Sequence, residues 1–202
     1  MSKKETLTKI DLLRHGQLIT PGLFCAYPEE PLSKKGLQDL IKATDNGHWD
    51  VIISSPYRRC REFSGMLAQQ KQCKLQLNEQ FRELDFGAWT GVATDKLWRQ
   101  QSEQLKQLWE TPESFVAPEG ESMQAFVSRV EQGLQSLLLE HENNSILLIT
   151  HAGVIRAILA KALGISHHSV LGFTVDYARS SRIHYYPDGV YSLYSHGLRS
   201  IE

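Results

Sequence analysis

Short runs of consecutive apolar residues alternate along the chain with longer segments in which apolar residues return every three or four positions. Ile10–Leu13, Asp50–Ser55 and Ser145–Thr150 are the runs, each short enough and apolar enough to be a strand buried in a sheet. Helical spacing follows each of them. Leu37, Leu40 and Ile41 come after Pro31-Leu32-Ser33, with Ser33 placed to cap and Gly36 weakening the helix slightly. Phe63, Met66 and Leu67 mark a helix from about Tyr57 to Lys71, and Thr94 is placed to cap a polar helix towards Trp109. Ser122 caps an amphipathic helix carrying Phe126, Val127, Val130, Leu134, Leu137 and Leu138, and a last helix carries Ile155, Ile158, Leu159 and Leu163. Cys73, Leu75 and Leu77 alternate with polar residues, as on a half-exposed edge strand, and β-prone pieces around Pro187-Asp188-Gly189 predict a hairpin.

Strands alternating with helices predict an α/β fold, a three-layer sandwich whose central sheet is mainly parallel and flanked by helices. The tail hairpin adds antiparallel strands. No repeat or linker divides the chain, so residues 1–202 are expected to form a single domain. Three stretches are left as loops: Gln17–Pro31, the aromatic and glycine-punctuated Phe81–Gly91, and Thr111–Gly120.

Composition narrows the function. Lys and Arg number 22 against 23 Asp and Glu, for a formal charge of −1, which gives no field for nucleic acid or an anionic membrane. Met1–Thr8 is polar with no apolar run behind it, and no segment approaches transmembrane length. Cys25, Cys60 and Cys73 are odd in number and form no CxxC pair, which fits free thiols in a reducing cytoplasm. A soluble cytoplasmic protein is expected, with a small molecule as its partner.

The chemistry gathers at strand ends, where ligands bind in open parallel sheets. Arg14-His15-Gly16 follows the first strand, Arg58-Arg59 follows Ser54-Ser55-Pro56, and His151-Ala152-Gly153 follows the strand ending at Thr150. If the first and last of these strands are neighbours, two imidazoles and an arginine pair surround one concave site. Arginine forks match the equatorial oxygens of a phosphoryl group in transfer, and a neutral imidazole can attack phosphorus once its other nitrogen is held by a carbonyl. A protonated second histidine would add positive charge, and a carboxyl would protonate the leaving oxygen. Glu83 and Asp85 both qualify for that last task, as Arg58 and Arg59 both qualify for the cation. Other chemistries fail: no cysteine has an arginine six positions on, and no GxxxxGK[ST] loop exists. His48, His141, His167, His168, His184 and His196 have no partner at recognisable spacing, so surface or structural roles are expected, with no metal and no cofactor.

Together, Arg14-His15-Gly16, Ser54-Ser55-Pro56-Tyr57-Arg58-Arg59, Phe81-Arg82-Glu83-Leu84-Asp85-Phe86-Gly87-Ala88-Trp89 and Thr150-His151-Ala152-Gly153 resemble the four ordered signatures of the histidine phosphatase superfamily. The resemblance implies a phosphoglycerate mutase-like fold and a phosphohistidine intermediate. It makes His15 the nucleophile and Glu83 the proton donor, with Arg14, Arg59 and His151 binding the phosphoryl group. Pro118-Glu119-Gly120-Glu121-Ser122 and the run from Thr150 to Arg156 look most like the α-ribazole phosphatases of cobalamin assembly. The chain departs from many relatives at Gln17–Thr20, Ala26, Glu29-Glu30 and Phe63. Phe24, Tyr27, Trp89, Trp109 and Phe115 are expected to wall the site and stack on a benzimidazole base. Acidic residues in the same loops (Glu29, Glu30, Glu110, Glu113, Glu119 and Glu121) should repel doubly anionic substrates. A broad-specificity phosphatase, a cofactor-dependent phosphoglycerate mutase and a phosphate-binding regulatory module are the alternatives.

Overall fold

β1 (Thr8–Arg14) has apolar side chains on both faces because both are covered. In the computed structural model, which describes residues 7–166 and 168–202, Ile10 and Leu12 belong to one core and Leu13 to another. The same division recurs in β2 (Val51–Ser54), where Val51 and Ile53 oppose Ile52, and in β4 (Ser145–Thr150), where Ile146 and Leu148 oppose Leu147 and Ile149. Unbroken apolar runs are what such doubly covered strands require. The first core is closed by α5 (Met123–Glu140) and α6 (Ala152–Leu163), the second by α1 (Lys34–Thr44) and α2 (Arg58–Lys71). The result is three layers. The polar segment 1–6 and His167 lie outside the described residues.

β3 (Lys74–Leu77) is the half-exposed edge strand, and β5 (Ser180–Tyr185) with β6 (Tyr191–Leu198) forms the tail hairpin. The six strands lie in the order β3-β2-β4-β1-β5-β6, parallel from β3 to β1 and antiparallel beyond. β1 and β4 are neighbours, in a register that sets Arg14 against Thr150. The next residue on each strand is a histidine, so the two imidazoles leave the sheet side by side.

Ser33 and Ser122 cap as expected, accepting the backbone N–H of Gly36 at 3.0 Å and of Ala125 at 3.1 Å. Thr94 does not cap: Ala93 holds that position without a side-chain bond. The expected single helix is two, α3 (Thr94–Gln100) and α4 (Ser102–Glu110), because Gln101 leaves helical geometry and its amide oxygen accepts the buried Trp89 indole N–H. Ile41, Met66 and Leu163 lie more exposed than their spacing predicts. Asp11, the one acid inside β1, is held by Trp49 Nε1 at 2.8 Å and by Arg182 Nε and Nη2 at 2.7 and 3.0 Å, as a buried charge must be. All three cysteines are free, and among the described residues no helix is long and apolar enough to cross a membrane.

Candidate active site

His15 sits where β1 ends, its N–H donating to Thr150 O at 2.9 Å and its carbonyl accepting Ala178 N–H at 3.2 Å. The side chain is buried, and Nδ1 lies 2.9 Å from Gly16 O. A carbonyl only accepts, so Nδ1 carries the proton and the Nε2 lone pair is left available. This turn is crossed by the first turn of α1. A Cβ on Gly16 would lie 2.3 Å from Gly36 O, and one on Gly36 would lie 2.2 Å from Gln17 O. Gly36 is therefore a close-contact residue that lets α1 lie on the turn holding His15.

Two guanidiniums flank the imidazole. Arg14 donates from Nη1 to Val175 O at 2.6 Å and lies 3.9 Å from the centre of the Tyr177 ring. Arg59, from the first turn of α2, is 2% exposed, donates to Tyr27 O at 2.9 Å and faces the Tyr57 ring. The Nε atoms of both are buried without a partner, as expected of donors awaiting an anion. Arg58 turns away to pair with Glu62 at 2.7 Å, leaving Arg59 as the one of the two beside His15. Arg14, His15, Arg59 and Glu83 line one cavity of about 170 Å³.

His151 completes the group, its ring centre 5.2 Å from that of His15 and the residue wholly buried. Its Nε2 is 2.7 Å from Ser55 Oγ, and its Nδ1 is buried without a partner. Ser55 Oγ also accepts Tyr57 N–H at 3.3 Å, so this hydroxyl joins the loop backbone to the ring. Sequence reasoning passed over Ser55 as part of a strand end. Burial, then the charges of Arg59 and Arg14, holds the pKa of His15 well below the usual imidazole value. Burial and Arg59, with His15 next, do the same to His151. The protonated form of the second histidine, expected from sequence, is thus disfavoured in the free protein. Proton NMR of the ligand-free protein should show both imidazoles titrating below an exposed imidazole, whose midpoint lies near about 6.5. A midpoint for either at 6.5 or above would contradict this.

Glu83 reaches the same cavity. Its carboxylate accepts Leu84 N–H and Gly153 N–H, both at 3.2 Å, the second from the first turn of α6. A Cβ on Gly153 would lie 2.3 Å from Glu83 Oε1, so the glycine after the second histidine makes room for this carboxylate. Asp85 is exposed, and its Oδ1 accepts Gly87 N–H at 2.9 Å within the loop. It is a turn residue.

Beyond Glu83 opens a cavity of about 370 Å³, walled by Phe24, Phe86, Trp109, Met123 and Phe126, with Arg156 among its polar residues. Of the expected aromatic walls, Phe24 and Trp109 are present. Trp89 and Phe115 are not; each is 1% exposed and packed in the core. Tyr27 contributes its carbonyl to Arg59 and sets its ring against Gly91. The expected acidic fence is weakened as well, since Glu29 pairs with Arg61 and Glu121 with Arg129. Arg156 donates to Phe173 O from Nε at 3.3 Å and Nη2 at 3.2 Å. The 175–178 segment of the tail, which bonds Arg14 and His15, was missed in the sequence. It carries no charge pattern, only an unusual left-handed Ala178 (φ 51°).

Among the described residues no group of three or more His, Cys, Asp or Glu is placed to hold a metal. His141 bonds Gln76 at 3.0 Å, His196 bonds Ser181 at 2.8 Å, and His184 stacks on Tyr194, which are structural roles. A larger groove of about 660 Å³ lies at the other end of β1, beside Thr8 and Tyr185, and contains none of the five site residues.

The chain is 25% identical over 183 residues to phosphoserine phosphatase 1 of Hydrogenobacter thermophilus, covering 88% of this chain and 87% of that protein. It is 25% identical over 170 residues to the adenosylcobalamin/alpha-ribazole phosphatase of Escherichia coli, covering 82% and 84%. The crystal structure of the alpha-ribazole phosphatase from Shigella flexneri superposes with a TM-score of 0.83 at 24% identity, over 96% of this chain and 98% of that one, and so shares its fold. Residues 10–195 match the model of the histidine phosphatase superfamily, branch 1, and the chain belongs to that family.

Proposed function

We propose that this phosphatase hydrolyses phosphomonoesters in two displacements at His15. In the first, His15 Nε2 attacks phosphorus, the P–N bond forms, the ester P–O bond breaks, and the leaving oxygen takes the proton of Glu83. In the second, Glu83 takes a proton from water, whose oxygen attacks phosphorus. The P–N bond breaks, inorganic phosphate leaves, and His15 and Glu83 return to their starting states. Nδ1 of His15 keeps its proton throughout. Arg14, Arg59 and His151 hold the equatorial oxygens, where charge is greatest in transfer. The supporting observation is His15 itself: an imidazole kept neutral between two guanidiniums, with its tautomer set by Gly16 O.

The substrate we infer is α-ribazole 5′-phosphate, cleaved to α-ribazole in cobalamin nucleotide-loop assembly in the cytoplasm. The support is the cavity beside Glu83, whose lining includes the aromatic side chains of Phe24 and Trp109 as surface for a flat heteroaromatic base, and the name of the Escherichia coli relative. Arg156 in the same wall favours a second reading, phosphoserine, whose carboxylate it would meet. Comparing kcat/KM for the two esters and 3-phosphoglycerate decides between them. A preference of about 100-fold for α-ribazole phosphate is expected from burying its base. Preference for phosphoserine or 3-phosphoglycerate would overturn the assignment.

A further inference from the structure

Glu83 has no side-chain partner among the described residues; its carboxylate accepts only two backbone N–H groups, each at 3.2 Å. Its backbone is held far more firmly. Arg129, on α5, is 12% exposed at its side chain, and its five N–H bonds are all used. Nη1 donates to Gln80 O at 2.9 Å and Arg82 O at 2.8 Å. Nη2 donates to Glu83 O at 3.0 Å and Glu121 Oε2 at 2.8 Å, and Nε donates to Glu121 Oε1 at 2.7 Å. Glu121 in turn bonds the next stretch of the same loop: its N–H donates to Asp85 O at 2.9 Å, and its Oε2 accepts Asp85 N–H at 3.4 Å. The pair thus grips residues 80, 82, 83 and 85, on both sides of the acid, and fastens them to a helix.

We propose that Arg129, together with Glu121, is a positioning residue for Glu83 and sets where its carboxyl stands against the leaving oxygen. The inference rests on the reading of Glu83 as proton donor. Arg129 lines neither cavity at the site, so it acts through the loop and not on substrate. The planar fork is what the arrangement needs, because three carbonyls and a carboxylate must be met from fixed directions. A lysine offers three donors from one point and cannot span them.

The test measures Arg129→Lys, Glu83→Gln and the double variant with p-nitrophenyl phosphate, whose leaving group needs no proton, and with an alkyl phosphate, whose leaving group does. Arg129→Lys should lower kcat for the alkyl ester by about 30- to 100-fold, as a displaced catalytic group does, and for the aryl ester by less than about fivefold. KM should stay within about twofold, and in the Glu83→Gln background the same change should cost less than about threefold. Equal losses with both esters, or an undiminished loss in the Glu83→Gln background, would show a merely structural role and overturn the inference. If Glu83→Gln itself does not discriminate between the esters, the reading of Glu83 falls and the inference with it. If Glu83→Gln discriminates and Arg129→Lys does not, the inference alone falls. Should Arg129→Lys fail to fold, Glu121→Gln keeps the side-chain volume, removes the charge and must show the same ester dependence at about a tenfold loss.

Discussion

His15→Ala is expected to lower kcat by about 10⁴-fold or more with every phosphomonoester, leaving group notwithstanding, because in the proposed mechanism it removes the atom to which phosphorus is transferred. No neighbour can take over. His151 is the nearest imidazole, but it is wholly buried, its Nε2 is turned to Ser55, and it lines neither cavity at the site. Cys60 lies 3.8 Å from His151, yet burial pushes its thiol up to about 12, so it supplies no thiolate. Binding should survive, since Arg14, Arg59 and His151 remain. Calorimetric titration with inorganic phosphate should therefore give an affinity within about tenfold of the unaltered protein, which separates lost chemistry from lost folding. Residual turnover within about tenfold of normal would mean that water attacks phosphorus directly.

Gly36→Ala is expected to damage fold and activity together. The new Cβ would stand 2.2 Å from Gln17 O and 2.5 Å from Gln17 N, and backbone cannot swing aside as a flexible side chain can. Either α1 lifts from the turn, opening the second core at Leu40, or the turn moves and takes Gly16 O away from His15 Nδ1. Overpacking of this kind costs about 3 kcal/mol, and a shift of about 1 Å at the nucleophile costs on the order of 100-fold in kcat. Gly65→Ala is the control, because a Cβ there meets nothing within 4 Å in the middle of α2. It should stabilise by about 0.5–1 kcal/mol through helix propensity alone and leave kcat unchanged. Denaturant unfolding and steady-state assays of the two variants check both halves. A neutral Gly36→Ala would show that the crossing is looser than the distances say.

The contrast between those glycines also shows what was legible in the sequence. Ile10–Leu13 and Ser145–Thr150 declared themselves as strands because burial on both faces is written locally, as short apolar runs broken in the first only by Asp11. The nearness of His15, His151, Arg14 and Arg59 followed from strand ends, and the candidacy of Glu83 came from the likeness of its segment to a family signature. What escaped depends on meetings between distant segments. Gly36 looked like a weak helix residue, and only the approach of Gln17 explains it. Phe115 looked like a pocket wall, since a loop aromatic carries no mark of which way it will turn, and it turned inward, as did Trp89, which could have served either packing or stacking. Arg129 is one charge among several on an amphipathic helix until the loop at 80–85 folds against it. The break at Gln101 was hidden for the same reason, its amide being engaged by an indole twelve residues earlier.

A rapid quench into alkali during turnover, followed by peptide mapping by mass spectrometry, tests the mechanism most directly. Phosphohistidine survives base and is lost in acid, so the quench must stay alkaline. Two displacements at His15 predict one phosphorylated peptide, carrying its phosphate on His15, present during turnover and absent once substrate is consumed. Phosphate on any other residue, or none at a time when the unaltered protein is turning over with hydrolysis rate-limiting, would contradict it.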